Sequence, residues 1–472
     1  MTTGMNLWEG EVWSFIITLA LLFGAMIAAN TLRNLCRPIR QALIPSSVLG
    51  GFLLLAANYI SKTAFHRPLY STGILEILTY HGLGLGFAAL ALRRVNKKTD
   101  GRSKTGAFDS GVAVVNGYLL QAVLGLAVTI VCFYLLGSFA ASGVLLPMGY
   151  GQGPGQAYNW GHTYEVQWGF VNGTSFGLAV AAMGFVSASV GGVIYLNWLR
   201  RKGLFHGELG SDVSDELTVA TFTEENEIPI SESMDKFTVQ VALVFIAYTL
   251  AYLFMKTVNN LLDPAGVGAK GLAGTVQGMI WGFQFLFGTL FAMLLKGVMN
   301  FLKKKGIMHR EYTNNFMQNR IAGFMFDLMV VASIAAIDLS AFRDPGFVLP
   351  LSIICVLGAV ATYFYLRFIC KRVFPRYEHE AFLSLYGMQT GTASTGVILL
   401  RELDPKFETQ ASDNLVYHMP WAILFGAPMF LLVGVAPQGI GKAWMVMGVC
   451  AGLFAVFNVI LLRKTLFKKK KK

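Results

Sequence analysis

Gly149-Tyr150-Gly151-Gln152-Gly153-Pro154-Gly155-Gln156 and Gln389-Thr390-Gly391-Thr392-Ala393-Ser394-Thr395-Gly396 are polar, glycine-rich interruptions in otherwise apolar sequence. Each is flanked by apolar arms shorter than the roughly 20 residues a membrane-spanning helix needs. Unwound backbone at membrane depth survives only where protein buries it or where it lines a watery cavity. Two such breaks in corresponding places of the two halves of a chain mark a duplicated architecture, with the breaks at its functional centre.

The surrounding sequence sets the class. The chain has 472 residues, of which 54% are hydrophobic and 14% charged. Soluble domains carry about 25% charged residues, so this deficit and the repeated long apolar runs indicate a polytopic membrane protein. Residues 1–11 are acidic and lack the basic start of a signal peptide, so no cleaved leader is expected. The net charge of +12 is gathered in short loops, a pattern that orients helices, so no nucleic-acid partner is expected. Cys36, Cys132, Cys355, Cys370 and Cys450 form no CxxC pair, which leaves neither a disulfide framework nor a transition-metal site.

The apolar runs predict spans near 13–32, 45–60, 73–92, 110–137 and 171–199, then 237–257, 271–300, 321–341, 347–369 and 414–436, with one more at 441–463. The broken segments occupy 139–168 and 381–408. Basic clusters at Arg33 to Arg40, Arg93 to Lys104, Arg200 to Lys202, Lys303 to Arg310, Lys371 to Arg376 and Lys468 to Lys472 all fall on one side if each broken segment returns to the face it entered from. The expected fold is therefore all-α and polytopic: two inverted five-helix repeats, each with a re-entrant hairpin, plus one extra C-terminal helix. The expected boundaries are residues 1–202 for the first repeat, 203–236 for an acidic cytoplasmic linker, 237–436 for the second repeat and 437–472 for the extra helix and basic tail. The N-terminus is expected outside and the C-terminus in the cytoplasm, in the cell (inner) membrane.

The hairpin tips bring chemistry. Glycine permits positive φ and lets a ligand approach the backbone. Helix N-termini favour an anion such as a carboxylate, and free carbonyls and hydroxyls favour Na⁺. Substrate-binding candidates are Gln152, Gly153, Gly155, Gln156 and Asn159 at the first tip, and Gln389, Thr390, Gly391 and Thr392 at the second. Ion-binding candidates are Ser394, Thr395, Asp327 and Asn116. An isolated Ser or Thr in a membrane helix commonly bonds back to its own backbone; it is the clustering around two breaks that favours a site. Asp327 and Asp338 are read within the span at 321–341, and an ionisable residue inside a span is a functional candidate. No Lys or Arg lies deep in a span, so an anionic cargo would be met by helix termini and co-bound cations.

At these residues the chain resembles the bacterial glutamate:sodium symporter family. The resemblance is carried by Ile44-Pro45-Ser46-Ser47-Val48-Leu49-Gly50-Gly51, by Gly149 to Ala157 with Tyr158-Asn159-Trp160, by Glu165, Gly169-Phe170, Asn172 and Phe176-Gly177-Leu178, and by Gly391-Thr392-Ala393-Ser394-Thr395. It implies a homodimeric carrier that takes up L-glutamate with Na⁺, through a scaffold and a moving transport domain. Three other readings stay open: a di- or hydroxycarboxylate substrate, H⁺ coupling through Asp327, and a channel built from paired half-helices. An enzyme is not expected, because HExxH does not occur and His81, His162 and His418 are scattered. Labelling of single cysteines should place both flanks of each broken segment on one membrane face. Opposite-face labelling of either pair contradicts the hairpin reading.

Overall fold

The computed structural model describes residues 7–94, 104–205, 235–264, 271–405 and 409–466. The acidic linker, apart from its ends, and the terminal lysine run lie outside these residues. The described chain is helical, with no strand among the described residues. In order the helices are α1 (Gly10–Leu35), α2 (Arg37–Gln41), α3 (Ser46–Phe65), α4 (Thr72–Leu92), α5 (Lys104–Leu136), α6 (Leu145–Tyr150), α7 (Pro154–Trp168) and α8 (Gly173–Arg201). They continue as α9 (Lys236–Leu262), α10 (Gly271–Gly282), α11 (Gln284–Lys304), α12 (Asn315–Ala335), α13 (Pro345–Val373), α14 (Glu378–Thr390), α15 (Ala393–Leu403), α16 (Gln410–Tyr417), α17 (Met419–Val435) and α18 (Ile440–Leu466). Ten of these, among the described residues, are long and apolar enough to cross a membrane. The architecture is all-α and multi-pass.

Both glycine-rich stretches are helix breaks. The first separates α6 from α7 at Gly151-Gln152-Gly153, and the second separates α14 from α15 at Gly391-Thr392. Pro154 opens α7 at a position where a missing N–H costs nothing. Three spans differ from expectation, one of them the run at 414–436, which is interrupted at His418 between α16 and α17. The run at 271–300 is two helices, broken at Phe283, because the buried Gln284 turns its amide to Tyr80 and Tyr248. The span expected at 321–341 ends at Ala335. Asp338 is not helical: it is exposed and caps a 3₁₀ turn by accepting from the Ser340 N–H at 3.0 Å and hydroxyl at 2.7 Å. A carboxylate that competes for backbone N–H groups in this way stops a helix.

The chain divides into two compact units that interleave along the sequence. One comprises residues 1–76, 101–212 and 331–472, the other 77–100 and 213–330. The second unit has a core of Leu85, Ala88, Ala89 and Leu92 from α4 against Val244, Ala247, Ala292, Ile321 and Ala322. The first unit contains both breaks. Its helices approach through small residues, as is usual where lipid offers no hydrophobic drive. The tightest backbone-to-backbone approach joins α5 to the 3₁₀ turn at Ala140–Val144: a Cβ on Gly125 would lie 2.1 Å from the Gly143 carbonyl oxygen, and one on Gly143 would lie 2.1 Å from the Gly125 carbonyl carbon. Backbone faces backbone, so neither side can yield. Gly143→Val should cost about 3 kcal/mol or more by overpacking, read as a lowered Tm of the detergent-purified protein; an unchanged Tm contradicts this packing.

Candidate functional site

The two breaks meet. Gly153 is the N-cap of α7, with φ of 82°, a conformation that glycine adopts without the clash a side chain brings. Thr392 is the N-cap of α15. A Cβ on Gly153 would stand 3.1 Å from the Thr392 methyl and 3.8 Å from the Gly391 carbonyl oxygen. Two half-helices therefore begin at one point, and neither N-cap carries a side-chain capping bond. The first N–H groups of a helix have no acceptor within it, and the helix dipole adds about half a positive charge at that end. The junction is thus electropositive without containing a cationic side chain.

Helix α5 holds both tips in place. The Tyr118 hydroxyl donates to the Gly151 carbonyl at 3.0 Å, beneath the first tip. The Gln121 amide donates to the Gln389 carbonyl at 2.9 Å, at the end of α14, and to the Thr362 hydroxyl at 3.0 Å. The Gln389 side chain lies along α5, donating to the Ala113 carbonyl at 3.3 Å. It fits only because position 117 is glycine: a Cβ there would fall 1.6 Å from Gln389 Oε1. Helix α8 closes another face, where a Cβ on Gly184 would lie 2.4 Å from the Thr390 carbonyl oxygen. Further along, Tyr150 at the end of α6 donates to the Cys355 carbonyl at 2.7 Å and pairs with the Ser187 hydroxyl at 2.9 Å.

The sequence-nominated residues fall into distinct places. Gly153, Gly155, Gln156 and Asn159 are buried on the first tip and the opening turns of α7, and Gln152 is half-buried. Gln156 is 1% exposed, and neither atom of its amide has a hydrogen-bond partner. Gln389, Thr390 and Gly391 are buried and Thr392 half-buried on the second tip. The Thr390 hydroxyl bonds back to the Tyr386 carbonyl at 2.7 Å, so it serves its own helix. Thr395 is buried, 3.4 Å from the Thr392 hydroxyl, whereas Ser394 is exposed. Asn116 is fully buried in α5. Asp327 belongs to the other compact unit and is exposed on α12. The two tips and α5 are therefore brought together; Ser394 is exposed and Asp327 is outside the unit that contains them.

Tyr118, Thr362 and Tyr150 support the tips from outside the two glycine-rich stretches or through partners the sequence does not show. Tyr118 and Gln121 follow Asn116 and Gly117 on one helix, and this polar group within an apolar run was the available signal. The partners on α13 were invisible without the fold. No protein-family model matches this chain, and no curated protein matches it.

The geometry separates two kinds of polar residue. Tyr118→Phe leaves the Gly151 carbonyl without its donor and should cost about 1–3 kcal/mol. Gln156→Leu breaks no hydrogen bond and removes an unsatisfied buried amide, so stability should hold or rise. Thermal unfolding of both purified variants checks this; a larger loss for Gln156→Leu than for Tyr118→Phe contradicts the assignment.

Proposed function

We propose that this chain is a Na⁺-coupled secondary carrier that imports a small carboxylate, with L-glutamate the first candidate. The observation that supports it is the contact of the α7 and α15 N-caps at Gly153 and Thr392. Two helix N-termini at one buried point favour an anion. The buried Gln156 amide beside them offers N–H donors that no protein group uses. With no cationic side chain at the junction, the charge of a carboxylate would be balanced in part by a bound cation, which is why coupling is read as Na⁺ symport.

In this reading the two breaks are re-entrant hairpins of opposite orientation within two inverted repeats. The element order supports this: each half runs through a set of helices into a broken helix and then one more helix, and α18 stands outside the pattern. The resemblance to the bacterial glutamate:sodium symporter family points the same way and adds a homodimer in the cell membrane as an expectation. Unit by unit, the tips, α5, α8 and α13 would move as one transport body, since they share one compact unit. A di- or hydroxycarboxylate is the second substrate reading, because the helix N-termini at the junction supply donors for a carboxylate of any such substrate.

Proteoliposomes loaded with the purified protein should take up radiolabelled L-glutamate, or another member of a carboxylate panel, only under an inward Na⁺ gradient and with saturation. Gln156→Leu should lower uptake at least 10-fold while inserting normally, and Thr392→Val should weaken it. Flux that neither saturates nor depends on an ion would make the protein a pore, and uptake unaffected by Gln156→Leu would remove the junction from the mechanism.

A further inference from the structure

A second polar group lies in the seam between α5, α13 and α14 and includes Gln389 of the second tip. Asn116, Gln121 and Gln389 are each 0% exposed. The NH₂ group of each is engaged: Asn116 donates to the Tyr365 hydroxyl at 2.5 Å, Gln121 to Thr362 and to the Gln389 carbonyl, and Gln389 to the Ala113 carbonyl. The carbonyl oxygen of each has no hydrogen-bond partner. Three buried acceptors are thus left over, although each NH₂ group has a partner.

The orientation of these amides is dictated by their partners. The Ala113 and Gln389 backbone carbonyls can only accept, so Gln389 and Gln121 must present nitrogen to them and turn oxygen the other way. Asn116 is set from further off. Asn458 of α18 donates through its own nitrogen to the Phe454 carbonyl at 2.9 Å, which leaves its oxygen to accept from the Tyr365 hydroxyl at 3.3 Å. Tyr365 has then used its proton and can only accept from Asn116. The relay from Phe454 through Asn458 and Tyr365 fixes Asn116 with its oxygen free. The helix outside the repeat pattern therefore decides the polarity of an amide on α5.

A buried unsatisfied acceptor costs about 1–3 kcal/mol, and three along one stretch of α5 call for a ligand that only accepts lone pairs. A cation meets that requirement. The linked groups are amides and hydroxyls, with no carboxylate or imidazole among them. Divalent ions in proteins draw on carboxylates, whereas neutral carbonyl oxygens suit a monovalent ion. None of the amides titrates, so a proton cannot be the ion held here.

We infer that Asn116 Oδ1, Gln121 Oε1 and Gln389 Oε1 form a monovalent-cation site in the α5–α13–α14 seam, with Tyr365 and Asn458 as positioning residues. This deepens the carrier reading and rests on it for the ion's role: the cation would dock beside the helix that holds both tips, fixing Gln121 and Gln389 and so the second tip. It keeps Asn116 among the ion-binding candidates and moves the ion from Ser394, Thr395 and Asp327 to amide oxygens.

The test is a Na⁺ titration of the purified full-length protein in detergent without any carboxylate, with choline as the replacing ion and K⁺ as a parallel arm, read as the shift in Tm. Wild type should be stabilised saturably by Na⁺, K⁺ or both, and not by choline. Gln121→Leu and Asn116→Leu should lose saturation or raise the midpoint at least 10-fold. Asn458→Leu, at a half-buried position on α18, should raise the midpoint several-fold while leaving carboxylate affinity at saturating cation unchanged. Asn458→Asp, which keeps the acceptor for Tyr365, should restore the wild-type midpoint. A wild type indifferent to all three salts, or midpoints unchanged in all the leucine variants, overturns the site. Cation stabilisation without carboxylate uptake would retain the site and remove the carrier reading; Na⁺-driven uptake with unmoved midpoints would do the reverse.

Discussion

Peptide groups released by two helix breaks inside an apolar protein must find partners, and the first unit is arranged around that constraint. A buried carbonyl or N–H without a partner costs as much as several favourable contacts return. Helix α5 meets part of the demand. It reaches one break with the Tyr118 hydroxyl and the other with the Gln121 amide, donating in both cases to a backbone carbonyl. The N–H groups at the starts of α7 and α15 are the other half of the demand. There the caps touch each other with no side-chain capping bond at either. Carbonyls are cared for by the protein, and donors are gathered where a ligand can use them.

This division explains why polar residues of the same type do different things. Thr390 bonds to its own helix, and Tyr150 and Tyr118 bond to carbonyls of neighbouring elements, so these are structural. Gln156 keeps both amide atoms unused while almost fully buried, a state with no structural benefit. The α5 seam shows a third pattern, in which each amide nitrogen has a partner and each amide oxygen has none. Unused amide oxygens lie along α5, and the same helix reaches both breaks through Tyr118 and Gln121.

Much of the fold was legible because its determinants are local. Length and hydropathy place spans, and glycine, proline and polar side chains inside an apolar run announce a break; Gly151 to Pro154 and Gly391 to Thr392 were read from that alone. The break at Phe283 was not. Its only neighbour of note is Gly282, and its cause is the pull of Tyr80 and Tyr248 on Gln284, which are distant in sequence. Asp338 was misplaced because periodicity cannot distinguish a span's last turn from a capped loop. The site was legible at its tips and hidden at its supports. Gln121 was visible as a polar residue, but its bonds to Gln389 and Thr362 are set by packing. Asn458 gave no sign at all, since a lone Asn in an apolar helix has many fates.

The central claim is that the caps of α7 and α15 touch, and disulfide trapping addresses it most directly. Gln152→Cys, beside the glycine that must keep its positive φ, and Thr392→Cys, placed together in a chain lacking its five native cysteines, flank the point where a Cβ on Gly153 would stand 3.1 Å from the Thr392 methyl. Mild oxidation in native membranes should form the bond in high yield, and a saturating carboxylate with Na⁺ should slow it by occupying the junction. Two free thiols, each open to labelling but never joined under oxidation, would contradict the account.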